Sequence, residues 1–370
     1  MQLTLSASAF LNELQTAARV ASTRSAVQAL SGIQLHADPD GSAQLRATDM
    51  DVSLRLALDA TVGHPGEVVL PARLLLDVAR SLPGPEVSLT LRPVEQDVEI
   101  VSGGATFNLR TLRNDDFPHL PVATGANSVS VDAAPFIDTV QRVSRSASRD
   151  DTRPVLTGIL VWASDHDLRM VATDSYRLSV KTTHLDSAVR APIEANVPAR
   201  ALAELVRIAQ QSEADTIAIE RSESQIIFSV DRAVLSSRLI DGQFPNYQLL
   251  LPESADHELR VDREELAGVV RRVSLLAQKN APLRLAFSDG QLVVSAHTPD
   301  VGEAREALPL PFAGEPFEIG FNADFLRDGL ESVDSQEVVM KLTGPLRPGL
   351  IESADGGAFV YLVMPIRLNT

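Results

Sequence analysis

The chain repeats itself three times, and this limits the possible folds more than any other feature of the sequence. Thr48, Thr173 and Thr298 stand in the related segments LRATDMDVSL, MVATDSYRLS and VSAHTPDVGE, two steps of 125 residues apart. A period this long means that each copy builds a similar unit, so the repeat is read before any local feature. Phe117 in NDDFPHL matches Phe244 in DGQFPNY, and Pro71 in LPARLLLDVARSL matches Pro198 in VPARALAELVRIA and Asn322 in FNADFLRDGLESV. Each copy opens on a second helical pattern: SASAFLNELQTAARVAS, DAAPFIDTVQRVSRSAS and DREELAGVVRRVSLLAQ. Between the helices, runs such as VEIVSGGATFNL, DTIAIERSESQIIFSV and PLRLAFSDGQLVVSA alternate as strands do, and DPDG, SGG, SDG and ADGG mark turns. The expected fold is α+β: three two-helix, antiparallel-sheet domains over 1–120, 121–250 and 251–370. Pro-containing linkers fall near 118–130 and 245–256.

The helix faces carry a second signal. Counting from Pro71, Pro198 and Asn322, offsets +4, +7, +8 and +11 are apolar or small: Leu75, Val78, Ala79, Leu82; Leu202, Leu205, Val206, Ala209; Leu326, Gly329, Leu330, Val333. At about 100° per residue these form one buried stripe. The opposite face, at +2, +6 and +9, holds Arg73, Asp77, Arg80; Arg200, Glu204, Arg207; and Asp324, Asp328, Glu331. In the first helix of each copy, counted from Phe10, Phe136 and Leu266, the buried stripe includes Leu14, Ala17, Val140, Val143, Val270 and Val273. Its outward offsets +6, +9 and +13 hold Thr16, Arg19, Thr23; Arg142, Arg145, Arg149; and Arg272, Leu275, Lys279. Any solvated helix face is charged. Here the excess is basic, recurs at matching positions, and sits in a chain with net charge −16.

The rest of the composition mainly excludes. No run of about 18 apolar residues is present, and the opening MQLTLSASAF lacks a basic region followed by an apolar block. There is no cysteine, which removes disulfides, thiolate zinc sites and cysteine nucleophiles and suits a cytoplasmic protein. No phosphate-binding loop, GxSxG elbow or GxGxxG fingerprint occurs. The seven histidines are scattered without metal-ligand spacing. The acidic residues at 49–51 and 115–116 fit turns, and SRSASRD has no partner constellation. No enzyme activity, cofactor or metal is expected.

Several motifs together resemble one family. DDTRPVLTGILV, VATDSYRLSV, LIDGQFPNYQLLLP, YLVMPIRL, VPARLLLDVARSLP and IGFNADFL are similar, in order and spacing, to the bacterial DNA polymerase III beta clamp. The resemblance spans essentially the whole chain. It implies the DNA clamp fold, a head-to-tail ring dimer around double-stranded DNA, and a cleft between domains two and three. That cleft captures short peptides from the polymerase III catalytic subunit, the clamp loader, other polymerases and repair proteins. By position it would use Leu156, Thr173, Ser175, Tyr176, Arg177, Leu178, Pro245, Leu250, Leu362, Met364 and Pro365, with Arg153, Val155, Leu346 and Pro348 alongside. Family members often have Gly-His where this chain has Ser175-Tyr176, and an aromatic residue where it has Pro154. This departure keeps a second reading open: a clamp paralogue with altered partner or inhibitor binding.

On this reading the repeated basic faces meet DNA phosphates without reading bases. Arg24, Arg73, Arg142, Arg145, Arg149, Arg200, Arg207, Arg272 and Lys279 are the expected contacts. The strands ending copies two and three, LSSRLI and YLVMPI, should each abut the preceding domain. The matching strand of copy one, TFNLRTL, has no preceding domain and should meet a second subunit. Phe107 and Leu109 would then bury near Leu275 and Leu276, with Glu303 and Glu306 close to the seam.

Overall fold

A computed structural model describes residues 1–125, 128–212, 214–252, 254–278 and 281–368, without the side chains of 187, 190 and 191. Its six α-helices fall where the repeat places them: α1 Ala7–Val20, α2 Ala72–Arg80, α3 Ala133–Val143, α4 Ala199–Ser212, α5 Arg263–Val273 and α6 Ala323–Ser332. Their starts follow from local chemistry. The Ser6 hydroxyl accepts from Ala9 N, the Asp262 carboxylate from Glu265 N, and the Asn322 side chain from Asp324 N and Phe325 N. These are the oxygen-bearing side chains that satisfy the orphan amides of a first helical turn. Asn322 therefore stands where Pro71 and Pro198 stand because either residue type suits a helix start.

The apolar stripes are buried as the spacing predicts. Leu14, Ala17, Leu75, Val140, Val143, Leu202, Leu205, Val270, Leu326 and Leu330 are each at most 1% exposed. Three details differ. Thr16, counted on an outward face, is 4% exposed, and its hydroxyl donates to Gln211 Oε1 at 3.2 Å. The first helices of copies two and three stop at Val143 and Val273, and each is followed by a single 3-10 turn, Ser144–Ser146 and Ser274–Leu276. Arg149 consequently sits in a loop, and Lys279 lies outside the described residues. Leu82 follows the end of α2 and is only partly buried.

The strands form four antiparallel sheets. A five-stranded sheet runs Ala60–His64, Gln2–Ser6, Glu86–Arg92, Asp97–Ser102, Ala105–Arg110, and a four-stranded sheet runs Gly302–Pro309, Gln291–Thr298, Leu283–Ser288, Phe317–Phe321. The other two cross repeat boundaries. In the eight-stranded sheet, Ala233–Arg238 of copy two pairs with Val52–Leu58 of copy one. In the six-stranded sheet, Phe359–Val363 of copy three pairs with Arg177–Pro198 of copy two. The abutting strands expected from the repeat are thus observed. One consequence is that the chain divides into two compact units, Met1–Ala133 with Arg200–Leu239 and Ala134–Ala199 with Ile240–Thr370. Copy two is shared between them.

A glycine on α6 permits close packing against a buried ring in the second unit. Tyr361 is fully buried, and its hydroxyl donates to Phe325 O at 2.7 Å. An added Cβ at Gly329, on α6, would fall 2.5 Å from the Tyr361 ring. Gly329→Ala should therefore destabilise the protein by about 1–3 kcal/mol through overpacking, despite alanine's better helix propensity. A lower midpoint in chemical denaturation is the expected reading.

Candidate functional site

The threonines that mark the repeat are structural. Thr48, Thr173 and Thr298 are buried at strand ends. Thr48 Oγ1 donates to Val52 O and accepts from Met50 N, and Thr173 Oγ1 donates to Arg177 O and accepts from Ser175 N. Asp49 and Asp174 complete the same turn, each accepting two backbone amides. Met50 and Ser175 occupy its left-handed position at φ 81° and 79°. A conformation disfavoured for non-glycine residues is kept twice at matching positions because the turn hydrogen bonds impose it.

In the second unit this turn forms one wall of a cleft. A cavity of about 630 Å³ opens between it, the segment Leu249–Pro252 and the residues 343–348 and 362–364. Of the residues expected there, Thr173, Ser175, Arg177, Leu178, Leu250, Leu346, Pro348, Leu362 and Met364 line it. Leu178 and Leu362 face each other across the paired strands and belong to a buried cluster with Val171, Val180 and Leu350, backed by Phe244 and Tyr247. Above this floor, Leu249, Leu250, Leu346 and Met364 are 82%, 49%, 58% and 39% exposed. Exposed apolar side chains over an apolar floor, with a flexible thioether among them, suit a short apolar ligand. Leu249, Leu251 and Arg347 also line the cavity and are not expected from the sequence. The signal available is the LLLP run, whose leucines lie in a linker.

The other expected residues border the cavity or stand back from it. Tyr176, 60% exposed, stacks on Phe325 and, with Arg153 and Arg177, lines an adjoining charged pocket of about 600 Å³. Leu156 is buried, Val155 and Pro365 are partly buried, and Pro245 is exposed; none of the four lines either cavity. Arg177 joins the two pockets. Its guanidinium lies 4.4 Å from the Phe325 ring centre and pairs with Asp174 at 3.1 Å and Asp328 at 2.5 Å. Burial works against its charge, but Tyr361, Asp328 and Asp174 outweigh burial and hold its pKa above the usual value. Burial pushes the Tyr361 hydroxyl up as well. Arg177 is therefore a fixed cation.

The basic residues divide into two groups. Arg142 is 17% exposed and pairs with Asp138 at 2.8 Å and Asp334 at 3.1 Å. Burial would raise the Asp138 pKa, but Arg142 and Lys181 hold it low. Arg145 pairs with Glu331 at 2.6 Å and Asp328 at 3.5 Å. Arg200 pairs with Asp49 and Asp51, Arg207 with Glu204, and Arg272 with Glu306. Arg272 and Glu306, expected in separate roles at the lumen and the seam, are thus partners of each other. Among the described residues, Arg24, Arg73 and Arg149 are exposed and have no carboxylate partner. Two of the pairs repeat: Arg19 meets Glu204 at 2.8 Å between α1 and α4 as Arg145 meets Asp328 and Glu331 beside α6. Leu275 takes the matching place in copy three and is 80% exposed.

Among the residues expected at a seam, Phe107, Leu276 and Glu306 are partly buried and Glu303 is exposed. Leu109 is different. It is 5% exposed within its own domain, so it has little surface left for a partner. Among the described residues no group of three or more His, Asp or Glu side chains is arranged to hold a metal ion, and no helix is long and apolar enough to cross a membrane.

Comparison with known proteins covers the whole chain. Family models of the DNA polymerase III beta subunit match in order: the N-terminal domain over 1–121, the central domain over 130–246 and the C-terminal domain over 248–367. The beta sliding clamp of Synechococcus elongatus is 31% identical, covering 97% of this chain and 98% of the relative. The sliding clamp of Bartonella birtlesii, solved bound to griselimycin, is 32% identical with a TM-score of 0.92 over the full length of both chains. The clamp of Bacillus subtilis is 27% identical, with a TM-score of 0.93 and the same coverage. The chain belongs to the DNA polymerase III beta subunit family, the three-domain sliding clamps that act as non-catalytic processivity factors in DNA replication.

Proposed function

We propose that two copies of this chain close head to tail into a ring around double-stranded DNA. We place its domain boundaries near 120 and 250. The ring holds the polymerase III catalytic subunit, the clamp loader, other polymerases and repair proteins in turn through the cleft of each second unit, in the cytoplasm. The observation that carries the partner-binding reading is the cavity itself, an apolar floor under exposed Leu and Met side chains. Burying one Leu and one Phe there, at about 25 cal/mol per Å², contributes only a few kcal/mol before ordering costs. Weak affinity follows, which suits exchange of partners. Related clamps have been solved with griselimycin bound, and the same cleft is the natural place for such a ligand here.

Ring closure rests on the repeat. Ala105–Arg110 ends copy one at the edge of its sheet, as Ala233–Arg238 and Phe359–Val363 end copies two and three. Gly302–Pro309 is an edge strand that matches Val52–Leu58 and Arg177–Pro198, the strands that receive such an edge. A second copy supplies the missing partner for each, and a heterologous contact of this kind closes when the rotation per subunit permits.

Four outcomes test these readings. Met364→Ala with Leu346→Ala, both at exposed positions, should weaken binding of a Gln-Leu-x-Leu-Phe peptide by about tenfold or more in isothermal titration, with dimer mass unchanged. Unchanged affinity would favour the altered-partner paralogue. Phe107→Asp with Leu275→Asp should convert a particle of twice 39.8 kDa into one of 39.8 kDa by light scattering; a persistent dimer would refute the seam. Reversing Arg24, Arg73 and Arg149 should lower the slope of log retention on linear DNA against log salt by about one for each phosphate no longer neutralised. Arg142→Ala should instead lower the melting temperature, because Arg142 holds Asp138, Asp334 and the Ser332 carbonyl.

A further inference from the structure

Copy two differs from copy one at three positions that meet around a single turn. Thr48 matches Thr173, Pro71 matches Pro198 and the 3-10 turn Gln28–Ser31 matches Pro154–Thr157, which sets Met50, Val69 and Val27 against Ser175, Asn196 and Arg153. In copy one the three side chains are hydrocarbon or thioether, and Val27 and Met50 are 43% and 53% exposed. In copy two they form hydrogen bonds on both sides of the 3-10 turn Pro154–Thr157. Arg153, which precedes that turn, donates from Nη1 to Ser175 Oγ at 2.9 Å. Asn196, 7% exposed, donates from Nδ2 to Val155 O at 2.9 Å. Room for the Asn196 side chain comes from Gly158, where an added Cβ would fall 2.1 Å from Asn196 Oδ1. Ser175 makes its bond from a left-handed φ of 79°, a conformation glycine would adopt with less strain.

The turn imposes the same left-handed position on Met50, so what is particular to copy two is that the side chain there is bonded to the neighbouring wall. We propose that Ser175 and Asn196 are positioning residues of the partner cleft: they clamp the Arg153–Thr157 turn and fix the Arg153 guanidinium, in the charged pocket adjoining the cleft, as a donor to a ligand acceptor. This rests on the cleft reading given above. The gain is pre-organisation, since a long side chain ordered before binding is not ordered at the ligand's expense.

Ser175→Gly separates positioning from stability. Relief of the left-handed strain should leave the melting temperature unchanged or raise it, while peptide affinity falls about three- to tenfold through loss of a charge-assisted hydrogen bond. In an Arg153→Ala background the same change should have no further effect. Asn196→Val, which installs the copy-one residue, should weaken binding similarly; if it also lowers the melting temperature, Ser175→Gly alone decides. The probe is the Gln-Leu-x-Leu-Phe peptide, titrated first into the wild-type dimer. A wild-type protein that does not bind it removes the cleft reading and the clamp together. Wild-type binding with Ser175→Gly equal or tighter, or with its effect undiminished beside Arg153→Ala, overturns the clamp alone.

Discussion

The structure depends on backbone pairing that runs across repeat boundaries. Arg238 N donates to Asp51 O at 2.8 Å, and Met364 N donates to Tyr176 O at 2.8 Å, at matching places in the two junctions. Each joins the last strand of one repeat to the Thr-Asp turn of the one before. Because a ladder of this kind fixes register as well as contact, it brings Met364 beside the 173–178 turn and sets Leu178 opposite Leu362. Residues nearly two hundred positions apart become one wall. A linker alone would give no such precision.

The same geometry at the first junction carries different side chains. Where the second junction pairs Leu178 with Leu362, the first pairs Ser53 with Ser236, both nearly buried. Its linker is held by polar bonds, with Glu220 accepting from Thr124 N at 2.9 Å and Gly125 N at 3.0 Å. Duplication therefore supplied two equivalent junctions, and side-chain chemistry made the pair at the second one apolar where the first has two serines.

Much of this was legible in the sequence, and the limits have physical causes. Spacing located all six helices and their buried stripes because helical period and burial are local properties. The cross-repeat strands followed from the repeat, since what one copy does with a strand the next must do too. Spacing failed at Arg149, because a helix that ends one turn early changes every outward position beyond it, and at Thr16, because Gln211 of α4 packs over that face of α1. It also could not reveal that Arg145, Arg200 and Arg272 are matched with carboxylates, since those partners lie on other elements, whereas Arg142 and Arg207 meet Asp138 and Glu204 of their own helices. Leu109 looked like a surface residue on an edge strand, yet its pleat points into its own sheet's core. In the cleft, the family motifs identified the walls, while Leu249 and Arg347 sit in segments whose course only the fold determines.

The matched arginines also bear on motion. A guanidinium already bonded to a carboxylate gains little by exchanging that oxygen for a phosphate's, because one anion replaces another in similar geometry. In the proposed ring, such groups would offer passing duplex a nearly level sequence of exchanges in place of deep, separate wells. Friction along the DNA would then be set by the unpaired cations, and a protein of net charge −16 could surround a polyanion without being held at any one step.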